Sequence, residues 1–199
     1  LKLISKNIKS LSDEELMRLF QKKNHQKAIT ELYARYADRL LGYFIKMLYG
    51  DESKAQDFLQ DLFVKVIEKK HLFNPEKRFY TWVFTIASNM CKTSFRKGIM
   101  TEVNDSHSLL LKISTEDQPS LNRKAFRKLL RKEIHLLEHH HKVVFILRHL
   151  ENFSLLEIAE ITDTSIGTVK SRLFYATKII SKQLKQYSPD HWQDTFKIS

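Results

Sequence analysis

Glycine and proline together supply only 7 of the 199 residues, 4 Gly and 3 Pro, against roughly 12% in an average chain. A sheet reverses direction every few residues, and tight reversals draw on residues that preset φ or tolerate positive φ. A chain this poor in them is expected to be all-α, built from long helices with few tight turns. Its length suits one ordinary domain or two small ones and is ample for a core. Charged residues at 29% and hydrophobic residues at 42% exclude wholesale disorder. The longest strongly apolar run is Val143 to Leu147, far short of the ~20 residues that span a bilayer, so no membrane insertion is expected. No signal peptide is visible in a chain that begins at Leu1, and the single cysteine, Cys91, cannot form an internal disulfide. Both fit a cytoplasmic protein.

The formal net charge is +11, which favours a polyanionic partner. The charge is unevenly placed. Residues 1–97 carry 19 basic and 11 acidic side chains, and residues 122–199 carry 14 and 8. Between them, residues 98–121 carry Lys112 against Glu102, Asp105, Glu116 and Asp117, in a stretch rich in Ser, Thr, Asn and Asp. That stretch reads as an acidic linker between two basic helical domains, 1–97 and 122–187, with a tail at 188–199 that carries Trp192 and Phe196. Leu109 to Leu111 could dock this linker somewhere.

Helical periodicity fills both domains. Ser12 and Glu15 have capping-box spacing and open a short helix at Asp13. Ile29, Leu32, Tyr33, Tyr36, Leu40, Phe44 and Met47 line a long helix that stops near Gly50. A third, over 52–69, turns Ala55, Phe58, Leu59, Leu62 and Val66 to one face. After a break at 71–77, a fourth over 78–97 repeats Phe79, Trp82, Val83, Ile86, Ala87 and Met90 at three and four. Further helices are expected near 122–138, 141–151, 155–162 and 166–186.

The most informative stretch is residues 153–180, FSLLEIAEITDTSIGTVKSRLFYATKII. Ser154 and Glu157 make a second capping box, opening a helix that turns Leu155, Ile158, Ala159 and Ile161 inward. Asp163 and Thr164 fall at a turn, and Ser165 is placed to cap the next helix. That helix is expected to bury Ile166, Val169, Leu173 and Ala176. It then exposes Gly167, Thr168, Lys170, Ser171, Arg172 and Tyr175. This is the layout of a helix-turn-helix, whose second helix enters the DNA major groove by its N-terminal end. Lys170 and Arg172 suit guanine or phosphate, and Thr168 and Ser171 suit either. The bland alternative is a helical hairpin with a solvated polar face, but capping, spacing and the basic face all favour DNA.

Here the sequence resembles a known family, the extracytoplasmic-function (ECF) sigma factors of bacterial RNA polymerase. SLLEIAEITDTSIGTVKSRL looks like the family's −35-reading motif. AQDFLQDLFVKVIEK (55–69) and FYTWVFTIASNMCKTSFRK (79–97) look like its polymerase-binding and −10-reading helices, in order and spacing. The resemblance covers about residues 12–97 and 122–186. It implies a non-catalytic protein without cofactor or metal, whose partners are core RNA polymerase (the β′ clamp helices and the β flap) and promoter DNA. Many members are held by an anti-sigma factor, of which this sequence carries no mark of its own.

The resemblance also assigns surfaces. On helix 52–69, Asp57, Gln60, Asp61, Val64 and Lys65 lie off the apolar face, and an acidic surface on a basic protein suits a basic protein partner. By resemblance that partner is the β′ clamp. On helix 78–97, Tyr80, Thr85, Ser88, Asn89, Lys92, Thr93 and Arg96 turn away from Trp82 and Ile86. With His71, Phe73, Asn74, Lys77 and Arg78 of the preceding loop, they form a surface that can stack an unpaired base and hold its backbone. By resemblance it binds the −10 strand. Residues 165–175 (Ser165, Gly167, Thr168, Lys170, Ser171, Arg172, Tyr175) would read −35 duplex. The linker would lie in a basic channel as a mimic of nucleic acid. Trp82 reads as core and Cys91 as an inert packing residue.

Some features depart from the family or stand outside it. The turn that usually reads Leu-Gly-Ile is Thr162–Asp163–Thr164, and a Pro-rich turn is replaced by His139–His140–His141. His135 and His139 have i, i+4 spacing, but a polar helix start is the simpler reading of them. Arg123, Lys124, Arg127, Lys128, Arg131 and Lys132 form a basic stripe that suits phosphates, a regulator or solvent. Two rival classes remain: a dimeric repressor or activator that binds duplex DNA without polymerase, and a metal-dependent enzyme built on the His cluster.

Overall fold

The computed structural model describes residues 8–98 and 123–184. Among them are eight α-helices, no strand, and two single 3-10 turns at Ile8–Ser10 and Lys70–Leu72. The helices are α1 (Asp13–Lys23), α2 (Gln26–Met47), α3 (Glu52–Glu68), α4 (Phe79–Arg96), α5 (Arg123–Leu136), α6 (His139–His149), α7 (Leu155–Thr162) and α8 (Ile166–Leu184). Each expected helix is present. Apart from Gly98, the acidic linker lies outside the described residues, as does the aromatic tail. The chain divides into two compact units, one centred on α1–α4 and the other on α5–α8.

In the first unit the Ser12 capping box forms in both directions. The Glu15 amide donates to Ser12 Oγ at 3.1 Å, and the Ser12 amide donates to Glu15 Oε2 at 2.8 Å. α1 ends on Asn24 in the left-handed region, φ 51°. α2 ends on Tyr49 and Gly50 at φ 60° and 90°, the second of which favours glycine. Arg35 of α2 ties down the start of α1. Its guanidinium donates to Asp13 Oδ1 at 2.7 Å, to Glu31 Oε1 at 2.9 Å and to the Leu11 and Lys9 carbonyls at 2.9 Å each. The Tyr36 hydroxyl bonds Asp13 as well, and burial followed by that bond pushes the phenol well above its usual range.

Behind this network lies an aromatic core. Tyr43, Phe44, Phe79 and Phe84 are fully buried, with Tyr43 and Phe84 edge to face at 5.3 Å. Each such side chain contributes about 1.5–3 kcal/mol through apolar area removed from water. The buried stripe of α4 runs through Phe79, Val83, Phe84, Ala87 and Cys91, while Trp82, Ile86 and Met90 are half-buried. The packed face is thus rotated from the expected one, because Phe84 belongs to it, while Cys91 packs there as expected. Phe63 of α3 is also buried, against Tyr33 at 4.7 Å.

In the second unit α8 packs against both α5 and α6. Residues Val143 to Leu147 of α6 are all buried, as a helical run that is apolar on every side must be. Buried as well are Leu129, Ile134 and Leu137, Ile158 and Ile161 of α7, and Val169, Leu173, Ala176, Ile180 and Leu184 of α8. Ile166, expected inside, is 38% exposed because it stands at the first position of α8, ahead of the packed turns. Leu155 and Ala159 are half-buried. His149, at the end of α6, is held down to about pKa 4 by burial and then by Arg148. No helix among the described residues is long and apolar enough to cross a membrane.

Candidate nucleic-acid interface

The second helix of the helix-turn-helix is α8, and the turn before it is tightly specified. The Thr164 amide donates to the Ala159 carbonyl at 3.0 Å, and the Asp163 amide to the Glu160 carbonyl at 3.4 Å. These are the two bonds of a Schellman motif, with Asp163 at φ 51° in its left-handed position. The Ser154–Glu157 capping box opens α7, at 2.9 Å and 3.3 Å. Ser165 then caps α8, accepting from the Thr168 amide at 3.1 Å, and its hydroxyl also pairs with Thr168 Oγ1 at 2.9 Å. Ser171 donates to the Thr168 carbonyl at 3.0 Å. The hydroxyl of Ser165 is therefore committed to the helix start, whereas Gly167, Lys170, Ser171 and Tyr175 are exposed and Thr168 and Arg172 half-buried. A Cβ on Gly167 would meet only Ser165 Oγ at 3.7 Å, so packing does not require glycine there. The α8 surface adds exposed Phe174, with its ring 5.5 Å from that of Tyr175, which the sequence reading did not assign.

In the first unit the loop between α3 and α4 is held at both ends by α1. Gln21 Nε2 donates to the carbonyls of Lys70 at 2.5 Å and Phe73 at 2.8 Å, and Glu14 Oε1 accepts from the Phe79 amide at 3.0 Å, capping α4. Lys70 Nζ bonds Asn24 Oδ1. Inside the loop, Asn74 Oδ1 accepts from the Glu76 amide at 3.0 Å, an Asx turn that shapes the backbone. His71, Asn74, Lys77 and Arg78 are exposed.

Two expected members of this surface are buried. Phe73 is 3% exposed, packed on Trp82 at 5.2 Å and Phe79 at 5.9 Å, because the loop tucks its one aromatic ring into the core end of α4. Ser88 is 5% exposed on the rotated packing face. Leu72 takes the exposed apolar place instead, at 62%.

The rest of the set divides. Asn89, Lys92 and Arg96 share one exposed stripe of α4 with half-buried Thr85 and exposed Thr93. Tyr80 stands on the other side, stacked on Tyr36 at 5.8 Å, with the Arg39 guanidinium 4.6 Å over its ring. Arg39 and the α1 residues Glu14 and Gln21 escaped the sequence reading. They lie 40 or more residues from what they touch, and helical periodicity records only which face of a helix is apolar.

On α3, Asp57, Gln60, Asp61 and Val64 are exposed on one face and Lys65 is half-buried. Val64 and Ile67, at 52% and 46% exposed, form an apolar centre with acidic neighbours. Apolar centre and polar rim is the anatomy of a protein-binding patch rather than of a phosphate-binding one.

The family model Sigma-70 region 2 matches residues 32–98, and Sigma-70, region 4 matches residues 127–178. The RNA polymerase sigma factor YlaC of Bacillus subtilis is 31% identical over 165 residues, covering 80% of this chain and 94% of that protein. The ECF RNA polymerase sigma-E factor of Haemophilus influenzae is 28% identical over 185 residues, covering 88% and 96%. Among solved structures, the sigma factor RpoE of Bartonella quintana, in complex with the anti-sigma factor NepR, is similar at 27% identity. Its TM-score is 0.62, with 80% of this chain and 98% of that one covered.

Proposed function

The chain belongs to the ECF sigma factors of RNA polymerase and directs promoter-specific transcription initiation, and from that premise we propose how its surfaces divide the work. The exposed face of α3, with Asp57, Gln60, Asp61, Val64 and Lys65, docks on the β′ clamp helices of core polymerase, Val64 and Ile67 supplying the apolar contact. The loop residues His71, Asn74, Lys77 and Arg78, with Leu72 at the exposed apolar position, receive the unpaired −10 strand. Asn89, Lys92 and Arg96 hold its backbone along α4. Arg39 and Tyr80 form a separate stacked edge of the same domain. Phe73 and Ser88 support this surface from inside.

In the second domain, residues 122–187, Ser165 caps α8. Gly167, Thr168, Lys170, Ser171, Arg172 and Tyr175 face the −35 major groove, while the domain also meets the β flap. The acidic linker 98–121 joins the two. The basic charge of both domains gives the salt-sensitive, sequence-independent part of DNA affinity. The protein acts in the cytoplasm, adds no catalysis of its own, and is a fit target for an anti-sigma factor of the kind seen with its structural relative.

The observation that carries the reading is the pairing of a capped helix-turn-helix with an acidic, apolar-centred helix in another unit. A free-standing repressor needs the first but has no use for the second. Titration of the labelled chain with sigma-free core polymerase tests it. Saturable nanomolar binding, lost when Asp57 and Asp61 are both changed to Lys, is expected. Tight binding to duplex DNA alone with no affinity for core polymerase would refute it.

A further inference from the structure

We propose that the turn between α5 and α6 binds a borderline transition-metal dication of the zinc or nickel class through Glu138, His140 and His141. His135 and His139 have i, i+4 spacing in the sequence, but α5 ends at Leu136 and α6 starts at His139, so no single helix presents both. The fold gathers a different set. One ligand atom from each of Glu138, His140 and His141 lies within 4.8 Å of the others. His140 Nε2 is already 3.5 Å from Glu138 Oε2, and the two imidazole rings are 4.1 Å apart. Around a tetrahedral zinc, with bonds of about 2.0–2.2 Å, ligand atoms stand about 3.3 Å from each other. The Glu138 side chain is 75% exposed.

A second observation points the same way. Nδ1 of His141 is buried with no hydrogen-bond partner in the protein, whereas buried polar atoms are nearly always paired.

The surroundings select the kind of ion. The site sits at the N-terminal end of α6, where the helix dipole disfavours cations, and the Lys142 and Arg172 charges act on the neighbouring imidazoles. A hard cation held by charge alone, such as Mg2+ or Ca2+, gains little from one carboxylate under those conditions. An ion with strong affinity for imidazole nitrogen gains two such ligands as well. Three protein ligands leave a fourth position for water or a group on a partner.

The site also borders the DNA-reading helix. The His141 ring is 6.2 Å from that of Tyr175. Metal ligation fixes the His141 ring against α8 and adds positive charge beside the surface proposed to face phosphates. Loading is expected to tighten −35 duplex binding.

The test uses the full chain without a purification tag, titrated with Co2+ as a spectroscopic probe and then with Zn2+ in competition. One Co2+ per chain is expected, with the visible absorption of a four-coordinate nitrogen–oxygen site, displaced by Zn2+. Glu138→Gln should weaken binding by more than about tenfold, and His140→Ala with His141→Ala should abolish it. His25→Ala, a histidine before α2 whose side chain makes no cap bond, should leave Co2+ binding unchanged. Circular dichroism confirms that each variant is folded, and the surface position of Glu138 keeps one informative variant should the double change disturb the helix. No saturable binding with about 0.1 mM protein, or binding that survives both the Glu138 and the His140/His141 changes, overturns the proposal.

Discussion

Single residues of α8 carry separable duties, and the geometry sets the sign of each change. Gly167 is exposed, has ordinary helical backbone, and has room for a Cβ 3.7 Å from Ser165 Oγ. Gly167→Ala is therefore expected to stabilise the domain by up to about 1 kcal/mol, because alanine loses less backbone entropy in a helix. It should nevertheless weaken −35 duplex binding if the bare backbone is what approaches the DNA. Thermal unfolding and fluorescence anisotropy on the same variant read the two effects, and unchanged DNA binding would remove Gly167 from the interface. Arg172→Ala is expected to cost about 1–3 kcal/mol on the cognate −35 sequence and little on a scrambled one if Arg172 reads a base. An equal loss on both sequences assigns it to phosphate.

At the scale of elements, the helices were legible almost to the residue because the chain marks its own boundaries. Ser12–Glu15 and Ser154–Glu157 write two capping boxes, Asp163 can take the left-handed position, and glycine and proline are too scarce to break a helix elsewhere. The face of each helix was less legible. Phe73 and Ser88 looked like surface, and Phe84 was left out of the packed stripe, because a rotation of a few tens of degrees on α4 depends on which partner helix is present. Least legible were contacts between distant elements. Nothing local to Gln21 says that its amide closes the loop at Lys70 and Phe73. Gln21→Ala is expected to cost about 1–2 kcal/mol of stability through those two bonds. It should also weaken binding of a −10 single strand by the polymerase-bound protein, while leaving −35 duplex binding intact. Anisotropy with the two DNAs in parallel checks this.

For the whole molecule, acid acts unevenly on the two units. His149 belongs to the second, and its ring has a folded pKa of about 4 against about 6.5 unfolded. The unfolded chain therefore binds the proton first, so stability is full above pH 6.5 and falls as the pH drops towards 4. By pH 5 the loss is about 1–2 kcal/mol from this group, and His149→Gln should flatten that part of the curve in urea unfolding measured between pH 7 and 5. A different consequence follows from the way α1 grips the loop at residues 70–79. Glu14 and Gln21 stand some fifty to sixty-five residues before the backbone they hold. The loop is thus no cassette: a chimera given residues 70–78 alone inherits their letters without their shape. Exchange of promoter preference between such proteins has to move α1 together with the loop, as one inherited piece.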